Sequence, residues 1–401
     1  MKLGLEKLLT DSALLRSLEG RRVAYLGHPA SVDARGQHGL DLLKENGRLT
    51  LTSAFGPQHG MRGEKQDNMI ESEHYRDPDT GVTVYSLYSE VRRPTQEMID
   101  SFDVVLIDMQ DVGCRVYTYL TTLLYMMEAC AKSKKALWVL DRPNPAGRPF
   151  EGFLLDPSME SFVGASRVPL RHGLTLGEMA LFLKAHHKLD LEMKIVTMEG
   201  YDIHGAPGYG WPTGQIPWVN PSPNMPTVDT ARCYGGTVLL EGTLLSEGRG
   251  NTRPLQVFGA PKLDSKKIIR ELSARTPKLL DTCLLRSCFF EPTFHKFKGE
   301  LCEGLQIHVD TDGAYNHDAF QPFRLMMMIF RLIKEFQPEL MNWRQPPYEY
   351  ETVRLPIDLL IGDVRGREWA DTKGSRLEDL DSMLKPQEVE WAEMIRPHLL
   401  Y

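Results

Sequence analysis

The sequence predicts an α/β protein in which a doubly wound, mostly parallel sheet is followed by a smaller α/β unit. Short β-rich runs alternate with helical stretches through the first half of the chain, and several of these runs are apolar throughout. The alternation stops near residue 200. Alternating strands and helices are typical of a parallel sheet with helices on both faces, whose strands are buried on both sides. We therefore assign residues 1–235 to a first domain and residues 236–401 to a second.

The first predicted element is a single amphipathic helix in the first twenty residues, where Leu recurs at roughly helical spacing between charges. Six strands are predicted after it, at Arg22–Leu26, Leu49–Phe55, Val82–Leu87, Asp103–Asp108, Lys135–Leu140 and Glu192–Thr197. Four helices are predicted between them, at Gly39–Glu45, Pro94–Ser101, Thr118–Ala131 and Thr175–His187. The last of these opens with Thr175 and has Glu178 three residues later, the spacing of a capping box.

Residues 200–227 interrupt this pattern. The segment is rich in Gly and Pro and contains Trp211 and Trp218, so it is too aromatic for a disordered linker. We predict an ordered loop that covers a site or joins the two units. Beyond about Gly236 the second unit is predicted to contain strands near Thr282–Phe290 and Gly304–Val309 and a helix near Phe320–Phe336.

The composition is that of an ordinary globular protein. Of the 401 residues, 42% are hydrophobic and 25% are charged, which excludes a disordered chain, and no apolar run is long enough to span a membrane. A net charge of −7 without a basic patch argues against a nucleic-acid partner. The N-terminus lacks the apolar segment of a signal peptide, and the six scattered cysteines form no CxxC pair. We expect a cytoplasmic protein with reduced thiols and no membrane partner; the oligomeric state stays open.

Polar side chains follow the predicted strands. The second strand ends in FGPQHGMRG, the third in SLYSEVRRP, the fourth in DMQDVGCRVYTY and the fifth in DRPNP. The carboxyl ends of parallel strands lie along one edge of the sheet, where open α/β sheets bind their ligands. We predict that Gln58, Glu90, Asp111, Arg115 and Asn144 line a single pocket at this edge.

The motifs that hold common cofactors are missing from the sequence. GHPASVDARG follows the first strand and lacks the GxGxxG pattern, and there is no Walker A, GxSxG or HExxH motif. We expect no cofactor and no metal, although ligation of a metal by His28, His59 and a carboxylate stays an alternative. Carboxylates, amides, Arg and aromatic rings together suit a sugar. Glycoside hydrolysis needs two carboxyls, or one carboxyl and the acetamido group of the substrate.

Several longer strings point to one family. They are FGPQHGMRG, YSLYSE, DMQDVGCRVYTY, LDRPNP, SFVG, PLRHGLTLGEMA, WVNPSPNMPT, LLEGTLLSEGRGNTRPLQVFGAP and PIDLLIGD. In this order, over essentially the whole chain, they resemble the NamZ-type exo-β-N-acetylmuramidases, glycoside hydrolase family 171. The resemblance implies a Rossmann-like catalytic domain, a smaller C-terminal α/β domain and no dinucleotide. It also implies release of terminal N-acetylmuramic acid from peptidoglycan fragments during cell-wall turnover and recycling.

The resemblance also implies the residues of the site. The catalytic candidates are Gln58, His59, Glu90 and Asp111. The substrate-binding candidates are Arg62, Tyr88, Arg115, Tyr117, Arg142, Asn144, His172, Asn224, Glu241, Glu247 and Arg249. Arg115 follows the fourth strand and Arg142 follows the fifth. One of the two is expected to pair with the lactyl carboxylate of muramic acid, because Arg binds carboxylates in bidentate fashion.

One position departs from the family pattern. The family usually has FGPEHG, whereas this chain has Gln58, whose neutral amide cannot act as a general acid. Glu90, and after it Asp111, is then the expected acid or base, and Gln58 is expected to hold the 2-acetamido group while that group acts as nucleophile. Two alternatives stay open: a catalytically impaired protein that binds muropeptides or amino sugars, and a hydrolase of a different amino-sugar glycoside. The stereochemical outcome also stays open.

Overall fold

The computed structural model describes residues 1–63, 73–89, 91–205, 209–311 and 313–401. These residues form a mixed α/β fold with a seven-stranded, mostly parallel sheet and a second sheet of three strands. The predicted fold class is therefore confirmed.

The larger sheet contains all six strands predicted in the first half of the chain and one further short strand. Its strands are β1 (Arg22–Gly27), β2 (Thr50–Gly56), β3 (Tyr75–Arg76), β4 (Thr83–Ser86), β5 (Val104–Asp108), β6 (Ala136–Leu140) and β7 (Met193–Val196). The strand order is β3-β4-β2-β1-β5-β6-β7, and β3 pairs with its neighbour in antiparallel fashion. Without β3 this is a doubly wound order, which reverses between β1 and β5, and a crevice forms beyond the carboxyl ends of those strands.

The centre of this sheet is covered on both faces. Alternate residues of β1 belong to two separate apolar clusters, with Ala24 and Leu26 in one and Val23 and Tyr25 in the other. Successive side chains of a strand point to opposite faces, so each cluster is the core on one side of the sheet. This is why the strand runs are apolar throughout rather than alternating.

The helices of the first half lie close to their predicted positions, except at the N-terminus. They are α1 (Gly4–Thr10), α2 (Ser12–Leu18), α3 (Gly39–Asn46), α4 (Gln96–Asp100), α5 (Tyr119–Ser133) and α6 (Leu176–His186). The single helix predicted for the first twenty residues is wrong, because the Asp11 side chain accepts hydrogen bonds from the backbone N–H groups of Ala13 and Leu14 and so caps a second helix. The predicted capping box of Thr175 and Glu178 is present at the start of α6.

The second unit combines the smaller sheet with several helices. Its elements are α7 (Val228–Thr237), β8 (Val257–Ala260), α8 (Ser265–Arg275), α9 (Pro277–Leu280), β9 (Leu284–Phe290), β10 (Cys302–His308), α10 (Pro322–Phe336), α11 (Pro356–Ile361), α12 (Val364–Asp371) and α13 (Leu377–Ile395). The antiparallel sheet has the order β8-β10-β9. Residue 235, the predicted domain boundary, lies within α7, and the division of the chain into two domains stays a prediction.

Buried polar contacts join the two units. The guanidinium of Arg324 in α10 contacts Glu151 of the first unit at 3.1 Å and Glu388 of α13 at 2.7 Å. The indole N–H of Trp391, also in α13, donates to the backbone carbonyl of His172. The C-terminal helix thus returns to the first unit and holds the second unit against it. Among the described residues, no helix combines the length and apolar character that crossing a membrane requires.

Candidate active site

A polar cleft lies where the loops that follow β2 and β5 meet the second unit. Its empty volume, counted together with the open solvent at its mouth, is about 440 Å³. Its lining combines amides, hydroxyls, carboxylates and one guanidinium: Gln58, His59, Val116, Tyr117, Thr118, Val163, Ser222, Asn224, Met225, Tyr234, Glu241, Arg249, Leu255, Tyr348 and Glu349. The cleft is therefore built from both units, and the end of the predicted 200–227 loop supplies part of its wall.

A tight turn after β2 presents the first two of these residues. Gly56 ends the strand where an added Cβ would lie 2.7 Å from the backbone N of Met61, so a larger residue does not fit there. The N–H of Gly60 donates to the carbonyl of Pro57 and closes the turn. His59 has a left-handed backbone with φ of 72°. Such a conformation is costly outside glycine and is concentrated at functional sites.

Gln58 is buried and held in one orientation. The hydroxyl of Thr118, the residue before α5, donates to Gln58 Oε1 at 2.8 Å. Thr is a common capping residue, but here its side chain makes no cap bond to the helix and serves Gln58 instead. The Gln58 side chain also interacts with Glu349, and this interaction favours the charged form of the Glu349 carboxyl by lowering its pKa.

Glu349 is the carboxyl group at the centre of this contact network. The hydroxyl of Tyr88, which follows β4, donates to Glu349 Oε2 at 2.9 Å. Burial raises the pKa of Glu349 to about 7, and the nearby Glu241 carboxylate adds to the rise, while the hydrogen bonds from Tyr88 and Gln58 oppose it. A carboxyl with a pKa near neutrality is able to exchange a proton at physiological pH.

A second carboxylate in the cleft has opposite surroundings. Glu241 forms an ion pair of 2.7 Å with Arg249 and accepts a hydrogen bond of 2.7 Å from the hydroxyl of Tyr348. Arg249 also contacts Glu247, and Lys296 lies 2.9 Å from the same carboxylate. Although burial opposes it, the charge of Lys296 and contacts with His295 and Arg249 lower the pKa of Glu247. Glu241 and Glu247 are thus held by cations, whereas Glu349 is held by neutral donors.

Comparison with known proteins identifies the family. The chain matches "Exo-beta-N-acetylmuramidase NamZ, N-terminal" over residues 23–229 and "Exo-beta-N-acetylmuramidase NamZ, C-terminal" over residues 232–401. The chain belongs to the NamZ family. Peptidoglycan beta-N-acetylmuramidase NamZ from Bacillus subtilis (strain 168) is 39% identical to it over 337 residues, which are 84% of this chain and 78% of that protein.

Solved structures of similar chains share the fold. Two DUF1343 family proteins from Bacteroides fragilis cover 100% of this chain, and the match covers 98% of each of them. Their TM-scores are 0.86 and 0.72, at sequence identities of 28% and 26%. The fold described above is therefore shared along the full length of the chain.

Many of the residues inferred from the NamZ resemblance come together at the cleft. Those that line it are Gln58, His59, Tyr117, Asn224, Glu241 and Arg249. Tyr88 and Glu247 stand behind the lining and contact Glu349 and Arg249, respectively. Glu90, the first choice for the acid, lies outside the described residues. Within the described ranges, His, Cys, Asp and Glu side chains form no group of three that could hold a metal ion.

Three arginines inferred from the resemblance have partners elsewhere. Arg62 pairs with Asp41 and Asp77. Arg142 is buried and binds both oxygens of Asp108. The guanidinium of Arg115 donates to the backbone carbonyls of Phe153, Val168 and Leu360. A buried guanidinium needs acceptors, and backbone carbonyls bind both terminal nitrogens of Arg115 while a strand-end carboxylate binds Arg142, all without a ligand. The structure therefore does not place either of these two in the cleft to receive a lactyl carboxylate.

Asp111, Asn144 and His172 hold loops beside the cleft rather than lining it. Asp111 Oδ2 accepts hydrogen bonds from the backbone N–H of Gly113 and from His172 Nε2, the latter at 3.0 Å. The N–H of Leu174 donates to His172 Nδ1, which places the ring proton on Nε2. Asn144 donates to the carbonyls of Gly147 and Leu174. The single pocket predicted for Gln58, Asp111, Arg115 and Asn144 thus contains only the first of them.

Sequence reasoning did not find Glu349. It lies in the run PPYEYE, in a loop of the second unit far from the predicted strand ends. The local sequence did contain one indication. Glu349 stands between Tyr348 and Tyr350, much as Glu90, a predicted catalytic residue, stands close to Tyr88. Thr118 and Tyr348, which position Gln58 and Glu241, were also missed.

Proposed function

We propose that this protein is a glycoside hydrolase that releases a terminal N-acetylmuramic acid, or a close amino sugar, from peptidoglycan-derived fragments. The observation that supports this most is the cleft itself, in which a proton-exchanging carboxyl, a fixed amide and several hydroxyls surround a space of about 440 Å³. The named activity of the relative from Bacillus subtilis agrees with this chemistry.

The cleft offers suitable partners for an N-acetylated sugar. Tyr117 and Tyr234 present aromatic rings to its C–H faces, and Ser222 and Asn224 present polar groups to its hydroxyls. The Gln58 amide carries two hydrogens, and one of them is available to the 2-acetamido carbonyl. An acetamido group held in this way is able to attack C1 of its own sugar, which removes the need for a second catalytic carboxylate.

One guanidinium group lines the cleft and suits the lactyl carboxylate that distinguishes muramic acid. It belongs to Arg249, which lies between Glu241 and Glu247. We assign the recognition of an added carboxylate to Arg249, because a guanidinium has five N–H donors and its contacts with Glu241 and Glu247 use only part of them.

Turnover of nitrophenyl N-acetylmuraminide, beside the matched N-acetylglucosaminide, tests the proposed function. We expect hydrolysis with a clear preference for the muraminide. Calorimetry with the two free sugars measures the same preference in binding. Equal turnover of both glycosides would indicate a hydrolase of a different amino sugar.

Gln58 favours one rival, a protein that binds a muropeptide without cleaving it. Binding of N-acetylmuramic acid without turnover of either the activated glycoside or a natural disaccharide would support that rival and contradict the proposed hydrolase.

A further inference from the structure

A glycosidase needs a group that protonates the leaving oxygen, and Gln58 is unable to do so. We propose that Glu349 is the catalytic acid of this protein and gives its proton to the glycosidic oxygen, the role that the neutral amide of Gln58 cannot fill. The assignment rests on the proposed glycosidase function, and the experiment below distinguishes failure of the one from failure of the other.

The position of Glu349 supports this role. Its side chain lines the cleft together with Gln58, so the two groups face the same space. Tyr88 donates to one of its oxygens at 2.9 Å, and the Gln58 side chain interacts with the carboxyl as well. Thr118 fixes the amide in turn through its bond to Gln58 Oε1. A carboxyl held from two sides has a defined orientation toward a bound substrate, which proton transfer in a glycosidase requires.

The charges around Glu349 keep it able to carry a proton. Glu241 is the nearby carboxylate that disfavours a second negative charge, and it is itself bound by Arg249 and Tyr348. Arg92 acts in the opposite direction but does not offset burial. Among the described residues, the polar neighbours also include the hydroxyl of Tyr88 and the Gln58 amide, both neutral, and His59 lines the same cleft. Two carboxyls with such different surroundings are typical of a division between acid and charged partner.

The backbone at this position is strained in the way that functional loops often are. Glu349 and Tyr350 both have left-handed conformations, with φ of 45° and 69°. In the same cleft lining, His59 has φ of 72°. Non-glycine residues in this region cost of the order of 1–3 kcal/mol each and persist where surrounding structure imposes them. Here the imposed geometry turns the Glu349 side chain into the cleft, where it meets Tyr88 and Gln58.

The reaction balances with this single carboxyl. The Glu349 proton moves to the glycosidic oxygen as the C1–O bond breaks and its electron pair leaves with the departing sugar. The 2-acetamido oxygen of the substrate bonds to C1 and forms a cyclic oxazolinium. Water then adds to C1, the Glu349 carboxylate takes one of its protons, and the C1 bond to the acetamido oxygen breaks. The acetamido group and the protonated Glu349 are restored, and one water is consumed.

Comparing two substrates whose leaving groups differ in their need for a proton separates the loss of proton donation from other effects of a substitution. The first is the disaccharide of N-acetylmuramic acid linked to N-acetylglucosamine, whose leaving oxygen needs a proton. The second is nitrophenyl N-acetylmuraminide, whose leaving group does not. The readout is kcat/KM, because it reports the steps up to departure of the leaving group and excludes the later hydrolysis.

We expect Glu349→Gln to lower kcat/KM for the disaccharide by about 10²–10⁴-fold and for the nitrophenyl glycoside by less than about tenfold. The Gln side chain keeps the size of Glu, and binding of free N-acetylmuramic acid, measured by calorimetry, should be retained. The matched control is Glu351→Gln, because Glu351 pairs with Arg354 outside the cleft. It should change both kcat/KM values by less than about twofold.

The wild type supplies a second readout that does not depend on the folding of a variant. An acid must be protonated, so kcat/KM for the disaccharide should fall as pH rises above about 7, the pKa of Glu349. The fall should be much weaker for the nitrophenyl glycoside and should disappear in Glu349→Gln.

Equal losses on both substrates in Glu349→Gln, or a flat wild-type profile between pH 6 and 9, would overturn the assignment of Glu349. A wild type that cleaves neither substrate would instead overturn the proposed glycosidase function. Turnover by the wild type that survives intact in Glu349→Gln would leave the function standing and remove Glu349 from it.

Discussion

The buried carboxyl of Glu349 should make the stability of the protein depend on pH. Its pKa is raised from 4.5 to about 7 in the folded protein, chiefly by burial. The folded state therefore holds this proton more tightly than the unfolded state. The stabilising contribution is complete below about pH 4.5 and is lost as pH rises through about 7. The difference between the two pKa values corresponds to about 3 kcal/mol at most.

The substitution that isolates this contribution is Glu349→Gln, which cannot titrate. Between pH 5 and pH 8.5, Glu349 should cost the wild type about 2.5 kcal/mol of unfolding free energy that the variant does not lose. Relative to the wild type, the variant should therefore gain about 2.5 kcal/mol in stability over this range. Other groups with raised pKa values, such as Asp141 at about 6, titrate in both proteins and cancel in the comparison.

Urea unfolding of the wild type, Glu349→Gln and Glu351→Gln at pH 5 and pH 8.5 measures the effect. Burial does not dominate at Glu351, where hydrogen bonds from the Val353 and Arg354 backbone and the Arg354 side chain lower the pKa to about 2. Its substitution should therefore shift stability equally at both pH values. The raised pKa of Glu349 would be refuted if the difference in unfolding free energy between Glu349→Gln and the wild type were also the same at pH 5 and pH 8.5, within about 0.5 kcal/mol.

Three further predictions follow from the same contacts. Gln58→Glu should place a second carboxyl against Glu349, so that the two share a proton; the high-pH fall of kcat/KM should move to higher pH, with no gain in disaccharide turnover beyond about threefold. A gain of orders of magnitude would show that the catalytic acid belongs at position 58, and it would contradict the assignment of this role to Glu349. Arg249→Lys keeps a positive charge beside Glu241 and Glu247 but loses the planar fork of the guanidinium, so it should reduce the preference for N-acetylmuramic acid over N-acetylglucosamine in calorimetry; an unaltered preference would exclude Arg249 from carboxylate recognition. Arg142→Met should leave Asp108 buried without its ion pair and cost about 3–5 kcal/mol in urea unfolding, and a loss below about 1 kcal/mol would show that Asp108 is otherwise satisfied.

The larger sheet was predictable because its signals are local. β1, β5 and β6 are short apolar runs, each with turn residues after it and a helix before the next strand. β5 illustrates this: all five residues, Val104–Asp108, are buried, and the sequence shows a continuous apolar stretch that ends at one acid. The prediction of a single N-terminal helix was wrong for an equally local reason. The helical spacing of Leu continues across Asp11, but the hydrogen bonds that its side chain accepts begin a second helix there.

Part of the site was predictable from the same local rule. Gln58, His59 and Tyr117 follow β2 or β5, at the edge where the doubly wound order reverses, and all three line the cleft. The rule does not say which strand-end groups turn inward. Asp108 and Arg142 also follow their strands, but they bind each other at the end of the sheet. Opposite charges at adjacent strand ends satisfy one another before a ligand arrives, and residue type alone does not reveal this.

The contact between Tyr88 and Glu349 shows why the rest of the site lay beyond sequence reasoning. The two residues are 261 positions apart, in different units, and neither unit presents the complete set of groups alone. The C-terminal unit is held in place by Arg324 and by Trp391 in α13, far along the chain from the strand ends. The acid that Gln58 lacks is therefore supplied from across the junction between the units. A substitution that loosens this junction, such as Trp391→Ala, should separate Glu349 from Tyr88 and lower activity without altering any residue of the cleft lining.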